Sequence, residues 1–575
     1  MNDMSATATA AATLDGVSID FLTSGGVVHA VKDLSMTVPR GKRVGFIGES
    51  GSGKTTTALA IMQLLASAGR VSAGSIDVSG TSMLELTDKE MRSARLSKVA
   101  YIPQGAMNSL NPVMRIEAQI ADAILTHEPK TPKGEVSRRI AEALEGVGLP
   151  AHAARLYPHE LSGGMKQRVC IALGAILSPD LIIADEPTSA LDVVTQKQVM
   201  HTLAAIQDRV GAGLILIGHD MGLMAQSVDA LAVLKDGELV EFGEVRQIIE
   251  APRHEYTKRL ISSVPVVGGP SFLGERVEAP RHEPSAEPLL RFDGVSKVYG
   301  NVTALHPLSF TLQGDVPQII SVVGQSGSGK STMGGLMLGF TDPTEGAVRF
   351  EGKDIAGLGA KGRLDFRKRV QAVFQDPYAC FNPFYRVDRA LRYPFQRFGM
   401  PGDVRHEMRE ACRAVGLDPD LVLRRYPHEL SGGQRQRLIV ARALMLSPRL
   451  LIADEPVSMV DASLRASILK NIHDLKERHG ISIVYITHDL ATAYHVSDYV
   501  MVLHKGRVVE AGPPEEVIGA PEHPYTRLLI DSIPWPDLGR PWGAPRPPEE
   551  EARLMREIDA APEVRRGEIE GFRLG

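Results

Sequence analysis

Short runs of consecutive apolar residues recur along the chain, and longer stretches of mixed apolar and polar residues follow them. The runs are RVGFIG, LIIADE, QIISVVG and LLIADE, which are apolar at most positions and contain β-branched residues. Strands of a parallel sheet are buried on both faces and have this composition, whereas half-exposed strands alternate. The stretches TTTALAIMQLLASAG and RQRLIVARALML are predicted to form helices. The pattern predicts an α/β fold in each half of the chain.

The same motifs occur twice, in the same order. The matching pairs are GESGSGKTT at 48–56 and GQSGSGKST at 324–332, YPHELSGG at 157–164 and at 426–433, and LIIADEPTSALD at 181–192 and LLIADEPVSMVD at 450–461. Self-similarity over this length indicates a tandem duplication. A chain of 575 residues is also longer than one hydrophobic core usually organises.

The repeat divides the chain into four predicted segments. A first α/β domain spans 1–250, an extension with a linker spans 251–287, a second α/β domain spans 288–519, and an extension with a tail spans 520–575. The linker and the tail after Pro534 are rich in proline, glycine and charged residues, which favours irregular structure. We therefore expect the tail to be exposed, with one short helix.

Composition and charge argue against several classes of function. The net charge of -5 gives no electrostatic reason to bind nucleic acid. No apolar run approaches the roughly 20 residues that span a bilayer, so partner chains would have to supply any span. The three cysteines, Cys170, Cys380 and Cys412, form no C-x-x-C pair. We therefore expect buried free thiols and neither a zinc site nor a disulfide framework.

A glycine-rich loop stands between a predicted strand and a predicted helix in each half, which is the context of a phosphate-binding loop. Its glycines let backbone N–H groups point inward, and the positive end of the helix adds to this cradle. Lys54 would bridge the β- and γ-phosphates, and the Thr55 hydroxyl would bind Mg²⁺. The predicted nucleotide-binding residues of the two loops are Gly48, Ser50, Gly51, Gly53, Lys54, Thr55, Thr56, Gly324, Ser326, Gly327, Gly329, Lys330, Ser331 and Thr332, with Ser331 as the second metal hydroxyl.

An acidic pair ends a buried strand in each half. Asp185 and Asp454 stand where a contact with Mg²⁺ is needed, either direct or through another ligand, and Glu186 and Glu455 follow them. Because neighbouring side chains on a strand point to opposite faces, the glutamate can act as a general base on water while the aspartate serves the metal. An acidic pair that merely caps a helix is the alternative, which the nearby phosphate loop disfavours.

Two further polar residues end apolar runs in each half. Gln104 and Gln375 could bring an amide to Mg²⁺ or to the attacking water. His219 and His488 are both followed by aspartate and could donate to a γ-phosphate oxygen. These roles rest on position, because a lone glutamine is usually a surface residue and a lone histidine is more often structural.

The combined motifs resemble those of the ATP-binding-cassette (ABC) ATPases over nearly the whole of both halves. The resemblance implies two tandem domains, each with a RecA-like core and a helical subdomain, that use ATP and Mg²⁺. It also implies that the LSGG segment of one half covers the nucleotide of the other, so that Lys54 pairs with Ser431 and Lys330 with Ser162. The serine and the glycine N–H groups would form a second anion cradle. The signature residues are Ser162, Gly163, Gly164, Ser431, Gly432, Gly433 and Gln434.

The resemblance also assigns adenine stacking to Phe21 and Tyr299, although each could be an ordinary strand aromatic. The first signature has Met165 where the second has Gln434, a change that leaves the Ser-Gly-Gly cradle intact. Each half retains its lysine, glutamine, acidic pair and histidine. We therefore predict two hydrolytic sites with some asymmetry.

The segments APRHEYTKRLISSVP and APEHPYTRLLIDSIP resemble the C-terminal extension of ATPase subunits of bacterial oligopeptide and dipeptide importers. The resemblance implies two transmembrane permease subunits and an extracytoplasmic solute-binding protein as partners, with this chain peripheral on the cytoplasmic face of the inner membrane. The segments between Gln104 and Ser162 and between Gln375 and Ser431 would dock the permeases. Some relatives carry an iron–sulfur cluster in the extension, but no cysteine follows HEYT or HPYT here, so none is expected.

Several alternatives stay open at this point. Related importers move nickel, glutathione, peptide antibiotics or oligosaccharides, so the cargo could be other than a peptide. A soluble tandem ATPase of the same family that acts on ribosomes or DNA is a second class. Its ribosomal members usually have a long charged helical linker and its DNA-repair members zinc cysteines, whereas the joint here is proline-rich. A protein that binds ATP only as an assembly switch is a third class.

Overall fold

The chain forms two compact units, each with its own sheets. The computed structural model describes residues 10–23, 25–105, 109–189, 191–269, 273, 282, 287–374, 380–457 and 462–575, except for the side chains of residues 462, 463 and 548. The first unit comprises Met1–Val264 and Ile533–Pro545, and the second comprises Pro265–Ser532 and Arg546–Gly575. Gln375, a predicted metal and water contact, lies outside the described residues.

The first unit alternates strands and helices in the way that the sequence predicts. Its strands are β1 (Ala10–Thr23), β2 (Gly26–Pro39), β3 (Arg43–Ile47), β4 (Gly69–Val78), β5 (Thr81–Ser82), β6 (Val99–Ile102), β7 (Leu181–Asp185), β8 (Gly213–Gly218), β9 (Ala230–Lys235) and β10 (Glu238–Glu244). Its helices are α1 (Lys54–Ile61), α2 (Asp88–Ala94), α3 (Ile116–His127), α4 (Lys133–Gly146), α5 (Gly163–Ala175), α6 (Val193–Val210), α7 (Met221–Ser227), α8 (Val245–Glu250) and α9 (Glu255–Ser262).

The second unit repeats this order and adds elements from the end of the chain. Its strands are β11 (Leu290–Tyr299), β12 (Val302–Leu312), β13 (Ile319–Val323), β14 (Glu345–Phe350), β15 (Lys353–Asp354), β16 (Val370–Val373), β17 (Leu450–Asp454), β18 (Ser482–Thr487), β19 (Tyr499–His504), β20 (Arg507–Gly512), β21 (Val564–Arg565) and β22 (Phe572–Leu574). Its helices are α10 (Lys330–Met337), α11 (Ala360–Arg369), α12 (Val387–Arg397), α13 (Val404–Ala414), α14 (Pro419–Val422), α15 (Gly432–Leu444), α16 (Ala462–His479), α17 (Leu490–Val496), α18 (Pro514–Val517), α19 (Pro524–Asp531) and α20 (Pro548–Ala560).

The four apolar runs form central strands of mainly parallel sheets, as predicted. The sheet of the first unit has the order β10-β9-β3-β8-β7-β6, and that of the second has the order β16-β17-β18-β13-β19-β20-β21. In the first unit β8 pairs in parallel with both β3 and β7. Because the carboxyl ends of parallel strands lie at one edge of a sheet, the loops that follow these three strands meet there. A separate antiparallel sheet, β2-β1-β4-β5 or β15-β14-β11-β12-β22, completes each unit.

A helical segment is inserted between two strands of each parallel sheet. Helices α3, α4 and α5 lie between β6 and β7, and α12 to α15 lie between β16 and β17. On α3 the residues Ile116, Ile120 and Ile124 recur every fourth position and are fully buried. Such spacing places them on one face of the helix, which packs into the main core of the unit. The predicted α/β fold with a helical subdomain is confirmed.

Helix α1 is shorter than the stretch TTTALAIMQLLASAG predicts. It ends at Ile61, and Gln63 adopts a left-handed conformation with φ 47°. The Gln63 N–H donates to Ala60 O at 3.0 Å, and the Leu64 N–H donates to Leu59 O at 2.8 Å. This pair of bonds is a Schellman motif, which closes a helix end. Glycine usually occupies this position, so a glutamine there gives no stop signal in the sequence.

The signature segments start helices, and their serines are the N-caps. Ser162 Oγ accepts the Met165 N–H at 3.3 Å, and Ser431 Oγ accepts the Gln434 N–H at 3.3 Å. In the second half the Ser431 N–H also donates to Gln434 Oε1 at 3.1 Å, which completes a reciprocal capping box. Methionine cannot return this bond, so α5 begins with a weaker cap than α15.

The second glycine of each signature packs closely against a neighbouring helix, and in the second half the first glycine does not. A Cβ on Gly433 would lie 2.6 Å from Leu464 Cδ1, and one on Gly164 would lie 2.4 Å from Thr195 Cγ2. A Cβ on Gly432 would meet open space. The second glycine therefore allows the signature helix to pack within its own half. Backbone approach to a ligand, the reason given by the sequence, stays a prediction, and the open space at Gly432 is compatible with it.

The prediction of an exposed tail after Pro534 is wrong, although its helix is present as α20. Strand β22 pairs with β12, and β21 pairs with β20. Phe572 is 3% exposed, and its ring lies 5.7 Å from that of Phe310 and 4.9 Å from that of Tyr499. Trp542 is buried in the first unit, where its backbone N–H donates to Gln226 Oε1 at 2.9 Å. Isolated apolar residues in a proline-rich stretch carry no periodic signal, so the sequence did not indicate this packing.

The cysteines are free thiols. Cys170 and Cys412 are buried, whereas Cys380 is half-buried, so the expectation of burial is wrong for Cys380. Within the described ranges, none of the helices combines the length and the apolar character needed to cross a bilayer.

Replacement of Phe572 tests the role of the tail in the second unit. Phe572→Ala leaves a cavity between β12, β19 and β22, so we expect the free energy of unfolding to fall by about 3–5 kcal/mol in urea titrations followed by circular dichroism. Arg573→Ala, at the exposed neighbouring position of the same strand, is the matched control and should change it by less than about 0.5 kcal/mol. Equal effects of the two variants would show that the tail does not contribute to the core.

An exchange of cap residues tests the asymmetry of the signature helices. Gln434→Met removes the bond to the Ser431 N–H and should destabilise the chain by about 0.5–1 kcal/mol. Met165→Gln supplies the missing bond in the first half and should stabilise it by a similar amount. Thermal unfolding of both variants measures these shifts. If both substitutions shift the midpoint in the same direction, the capping box is not their cause.

Candidate functional site

The phosphate loops are shaped by glycines that nothing larger could replace. In the first loop Gly53 has φ 96°, and a Cβ there would lie 2.7 Å from Ala30 O. A Cβ on Gly48 would lie 2.1 Å from Leu234 O. The second loop repeats both contacts, with 2.6 Å at Gly329 and 2.3 Å at Gly324. Each loop is therefore held tightly against the strands beside it, with its backbone curled as the sequence predicts.

The loop lysines are held by the loops themselves. Lys54 is 7% exposed, and its Nζ donates to Gly48 O and Glu49 O, each at 2.8 Å. Lys330 Nζ donates to Gly324 O at 2.6 Å and to Gln325 O at 2.8 Å. Both lysines are also the first residues of their helices, α1 and α10. A buried ammonium at the positive end of a helix is a strong attractor of anions.

The strand-end aspartates are buried, and the one in the first half accepts hydrogen bonds from two hydroxyl groups. Burial raises the pKa of Asp185, while hydrogen bonds from Thr55 and Tyr101 act in the opposite direction. The Tyr101 hydroxyl donates to Asp185 Oδ2 at 3.0 Å. Burial and the charge of Glu455 raise the pKa of Asp454. The Thr55–Asp185 contact brings a hydroxyl and a carboxylate oxygen together, and Mg²⁺ prefers oxygen ligands, so this donor set fits Mg²⁺.

The glutamates are the centres of small hydrogen-bond networks. Glu186 Oε2 accepts from Gln104 Nε2 at 2.7 Å, and Glu186 Oε1 lies 3.1 Å from His219 Nδ1. In the second half Glu455 Oε1 lies 2.8 Å from His488 Nδ1. The structure thus brings together, in the first half, the three residues predicted as catalytic. In the second half it brings together the two that are described.

The glutamates do not have the extended strand conformation that the sequence argument assumed. Glu186 has φ 45° and Glu455 has φ 47°, both in the left-handed region. Their N–H groups donate to Ile217 O at 2.9 Å and Ile486 O at 2.8 Å, which pins each turn to the neighbouring strand. The separation of the two carboxylates therefore comes from this turn rather than from strand alternation. A left-handed non-glycine residue costs about 1–2 kcal/mol, a strain typical of functional sites.

Both glutamates remain charged despite their burial. Burial alone would raise the pKa of Glu186, but the hydrogen bond and charge of His219, with the charge of Lys54, outweigh it and lower the pKa. Burial opposes ionisation of Glu455 in the same way, and His488 and Lys330 again lower its pKa. Burial would lower the pKa of His488, but the hydrogen bond and charge of Glu455 raise it. Each glutamate is therefore a carboxylate that can accept a proton.

Tyr101 is a site residue that the sequence analysis missed. Its burial and the neighbouring Asp185 raise the pKa of its phenol, which keeps it a proton donor. Ala372 stands at the corresponding position of the second half. The stretch VAYIPQ places the tyrosine three residues before Gln104, and a tyrosine inside a buried run is the only signal that could have revealed it.

The residues predicted to stack on adenine and the signature residues lie outside the phosphate loops and the loops that carry the glutamates and histidines. Phe21 is half-buried on β1 against Gly69, whose Cβ would lie 2.7 Å from the ring. Tyr299 ends β11, is 50% exposed and has Lys297 Nζ 5.0 Å from its ring centroid. Ser162 and Ser431 are exposed at the starts of α5 and α15. Adenine stacking and pairing with the opposite loop stay predictions.

Comparison with known proteins places these features in a family. The family described as "ABC transporter" matches residues 31–189 and 305–458, and the "Oligopeptide/dipeptide transporter, C-terminal region" matches 240–290 and 509–558. The chain is 37% identical over 568 residues to the glutathione import ATP-binding protein GsiA of Salmonella choleraesuis (strain SC-B67), which covers 92% of this chain and 90% of that protein. GsiA of Escherichia coli (strain K12) is 37% identical over 563 residues, 91% and 89% of the two chains.

A solved dimeric ATP-binding cassette in a post-hydrolysis state with ADP and Pi is 26% identical. It aligns with 40% of this chain and 98% of its own, with a TM-score of 0.37.

Two matches of one family in the same order as the repeat account for both phosphate loops and both acidic pairs. The matched C-terminal regions include the extension of each half, with helices α9 and α19. The chain therefore belongs to the ABC transporter family, as a fused tandem ATPase of the oligopeptide/dipeptide type.

Proposed function

We propose that this chain hydrolyses ATP at two sites to drive the import of a peptide-type solute through separate membrane subunits. The observation that carries the proposal is the charged glutamate, paired with a histidine and lying beside a phosphate loop, in each half. The match to a transporter C-terminal region after each half favours transport over action on ribosomes or DNA.

The phosphate loop binds and orients the substrate. The loop N–H groups and Lys54 hold the β- and γ-phosphates, and the lysine exchanges its bonds to Gly48 O and Glu49 O for phosphate oxygens. Thr55, Asp185 and Gln104 would hold Mg²⁺, which would neutralise charge on the phosphates. Because Gln104 Nε2 donates to Glu186 Oε2, the oxygen of the same amide would be the atom that serves Mg²⁺. Ser331 and Asp454 take the corresponding roles, with Gln375.

The acidic pair divides the chemistry. Glu186 accepts a proton from the attacking water. His219 orients the Glu186 carboxylate through Nδ1, which leaves the His219 Nε2 for a γ-phosphate oxygen. Glu455 and His488 do the same in the second half. The conformation of each glutamate is fixed by its backbone bond to the next strand, so the base is in place before substrate arrives.

ATP couples the two halves in this proposal. Ser162, Gly163 and Gly164 close over the nucleotide held by Lys330, and Ser431, Gly432, Gly433 and Gln434 close over that held by Lys54. The open space at Gly432 supports a role in ligand approach. Hydrolysis removes the γ-phosphate contacts and lets the halves separate, which is a shift of population between closed and open states.

The helical segment of the second half offers a groove for a permease. The groove has a volume of about 580 Å³ and is lined by Cys380, Phe381, Tyr385, Arg389, Tyr393 and Arg442, among others. Tyr393 is 60% exposed and Phe384, beside the groove, is 84% exposed. Exposed aromatic and arginine side chains are typical of protein interfaces. The chain lies peripherally on the cytoplasmic face of the membrane in this proposal.

The cargo is proposed from relatives. Proteins named for glutathione import are 37% identical over 92% of this chain. Glutathione is a tripeptide derivative, and the matched C-terminal region is named for oligopeptide and dipeptide transporters. We therefore propose a small peptide of this class, selected by an extracytoplasmic binding protein rather than by this chain.

Removal of both bases tests hydrolysis. The double variant Glu186→Gln, Glu455→Gln should bind ATP with unchanged affinity and hydrolyse it at least about 100-fold more slowly, because the amide cannot accept a proton. Phosphate release and binding of a fluorescent ATP analogue measure the two properties. Glu250→Gln, an exposed carboxylate on α8, is the control. Full ATPase activity in the double variant would refute the assignment, and the two single variants report the share of each site.

Substitution of a groove aromatic tests permease docking. Tyr393→Ala should weaken co-purification of co-expressed permease subunits by about 10- to 30-fold, the usual effect of truncating an interface aromatic. Arg397→Ala, which is exposed at the end of the same helix outside the groove, is the matched control. The unfolding midpoint of the isolated chain checks that both variants fold. Unchanged co-purification of Tyr393→Ala would place the permease elsewhere.

A further inference from the structure

The extension of each half places a tyrosine hydroxyl against the phosphate loop of the same half. The Glu49 N–H donates to Tyr256 Oη at 3.0 Å, and the Gln325 N–H donates to Tyr525 Oη at 2.9 Å. Tyr256 is 7% exposed and Tyr525 is fully buried. Each donor is the residue that follows the first glycine of the loop. Since the bond is to the backbone, the contact is the same although one loop has glutamate and the other glutamine.

Each tyrosine is fixed by the start of its own helix. The Tyr256 N–H donates to His254 Nδ1, and the Tyr525 N–H donates to His523 Nδ1, both at 3.1 Å. These histidines are the N-caps of α9 and α19. The helix start is therefore tied down immediately beside the tyrosine.

A buried glutamate anchors the helix start to the core. Glu510 on β20 is fully buried and accepts the Glu522 N–H at 2.9 Å and the His523 N–H at 3.1 Å. Glu241 on β10 accepts the Arg253 N–H at 2.9 Å and the His254 N–H at 3.0 Å. A carboxylate with two such donors at a helix N-terminus is a strong tether. The tyrosine hydroxyl is thus positioned by the sheet through the extension.

The tyrosine ring lies on the strand that also confines the loop. Lys235 Nζ lies 5.5 Å from the Tyr256 ring, and the His504 ring lies 4.1 Å from that of Tyr525. The preceding residues of the same strands, Leu234 and Leu503, carry the carbonyls that a Cβ on the first loop glycine would meet. The first turn of each loop is therefore confined by a strand and by the extension.

The same loop residue connects the tyrosine to the loop lysine. The Glu49 N–H binds Tyr256, while Glu49 O accepts Lys54 Nζ at 2.8 Å. The second half has the same chain of contacts through Gln325 to Lys330. A shift of this residue would move the carbonyl that holds the phosphate-binding ammonium.

We propose that Tyr256 and Tyr525 are positioning residues that hold each phosphate loop in its binding conformation. The inference rests on the proposed function, because it assumes that the loops bind ATP. It gives the extension a role in nucleotide affinity, in addition to any contact with transport partners. The tyrosines contact the loop that would bind the phosphates and do not contact the predicted adenine site. Their effect on nucleotide affinity should therefore depend on the phosphate chain alone.

The experiment removes only the hydroxyl. Tyr256→Phe and Tyr525→Phe are made in the full chain that also carries Glu186→Gln and Glu455→Gln, so that binding is measured without hydrolysis. ATP is titrated by calorimetry, and tripolyphosphate, which has no adenosine, is titrated in parallel. One neutral hydrogen bond corresponds to an approximately five-fold change in Kd, so each variant should weaken one of the two sites by about that factor for both ligands.

Matched controls separate positioning from general stability. Tyr499→Phe removes a hydroxyl from a buried tyrosine of the second unit, and Lys258→Ala alters an exposed side chain of α9. Neither should change Kd by more than about two-fold. The unfolding midpoint without ligand is recorded for every variant, since a purely structural tyrosine would lower the midpoint without changing Kd.

The outcomes are distinguishable. Equal weakening for ATP and tripolyphosphate at one site per variant supports the inference. An unchanged Kd, with or without a lower unfolding midpoint, overturns it while leaving the proposed function intact. Weaker binding of ATP with unchanged binding of tripolyphosphate also overturns the inference, because the tyrosine would then act through the adenosine part of the nucleotide. A parent chain that binds neither ligand overturns the proposed function and this inference together.

Discussion

The chemistry of each half depends on three parallel strands that end at the same edge of a sheet. In the first unit the phosphate loop follows β3, Glu186 follows β7 and His219 follows β8. Because β8 lies between the other two, the histidine reaches the glutamate and the glutamate lies beside the loop. A slip of one residue in any of these pairings would turn the functional side chains to the other face of the sheet. The fully buried strands β7 and β8 fix the register, since their apolar side chains have no alternative environment.

The phosphate loop is in turn held from several directions. Its glycines lie against carbonyls of neighbouring strands, its lysine bonds to its own carbonyls, and its second residue bonds to the extension. An anion-binding backbone that is ordered in advance loses little conformational entropy when the ligand binds. This small loss of conformational entropy explains why glycines, which have no side chain, and a buried tyrosine occur at the same loop. The glycines permit the close approach, and the tyrosine satisfies an N–H that the tight turn directs into the protein.

Patterns among consecutive residues predicted the fold and the elements that carry most of the candidate site. They did not predict contacts between residues far apart in the sequence. Apolar runs and glycine spacing are properties of a few consecutive residues, so β3, β7, β13, β17 and both loops could be located. The Tyr256–Glu49 bond joins residues 207 positions apart, and nothing near either residue announces it. The left-handed turn at Glu186 and the early end of α1 at Gln63 were missed for a related reason. Both use non-glycine residues in a conformation that glycine usually marks.

The two halves share their reactive groups and differ in what supports them. Asp185 accepts a hydrogen bond from the Tyr101 hydroxyl, whereas the second half has Ala372 at the position of this tyrosine. Ser431 is held by a reciprocal cap that Met165 denies to Ser162. Arg435, which bonds to Pro427 O and Leu430 O at 2.7 Å each, is replaced by Lys166 in the first half. A point charge cannot reproduce the two-armed contact of a guanidinium, so the LSGG turn is less firmly held there. These differences leave the proposed proton acceptor and the proposed phosphate cradle unchanged in kind. The asymmetry of the two sites should therefore appear in nucleotide affinity and in the closing of the signature segments rather than in the chemical step.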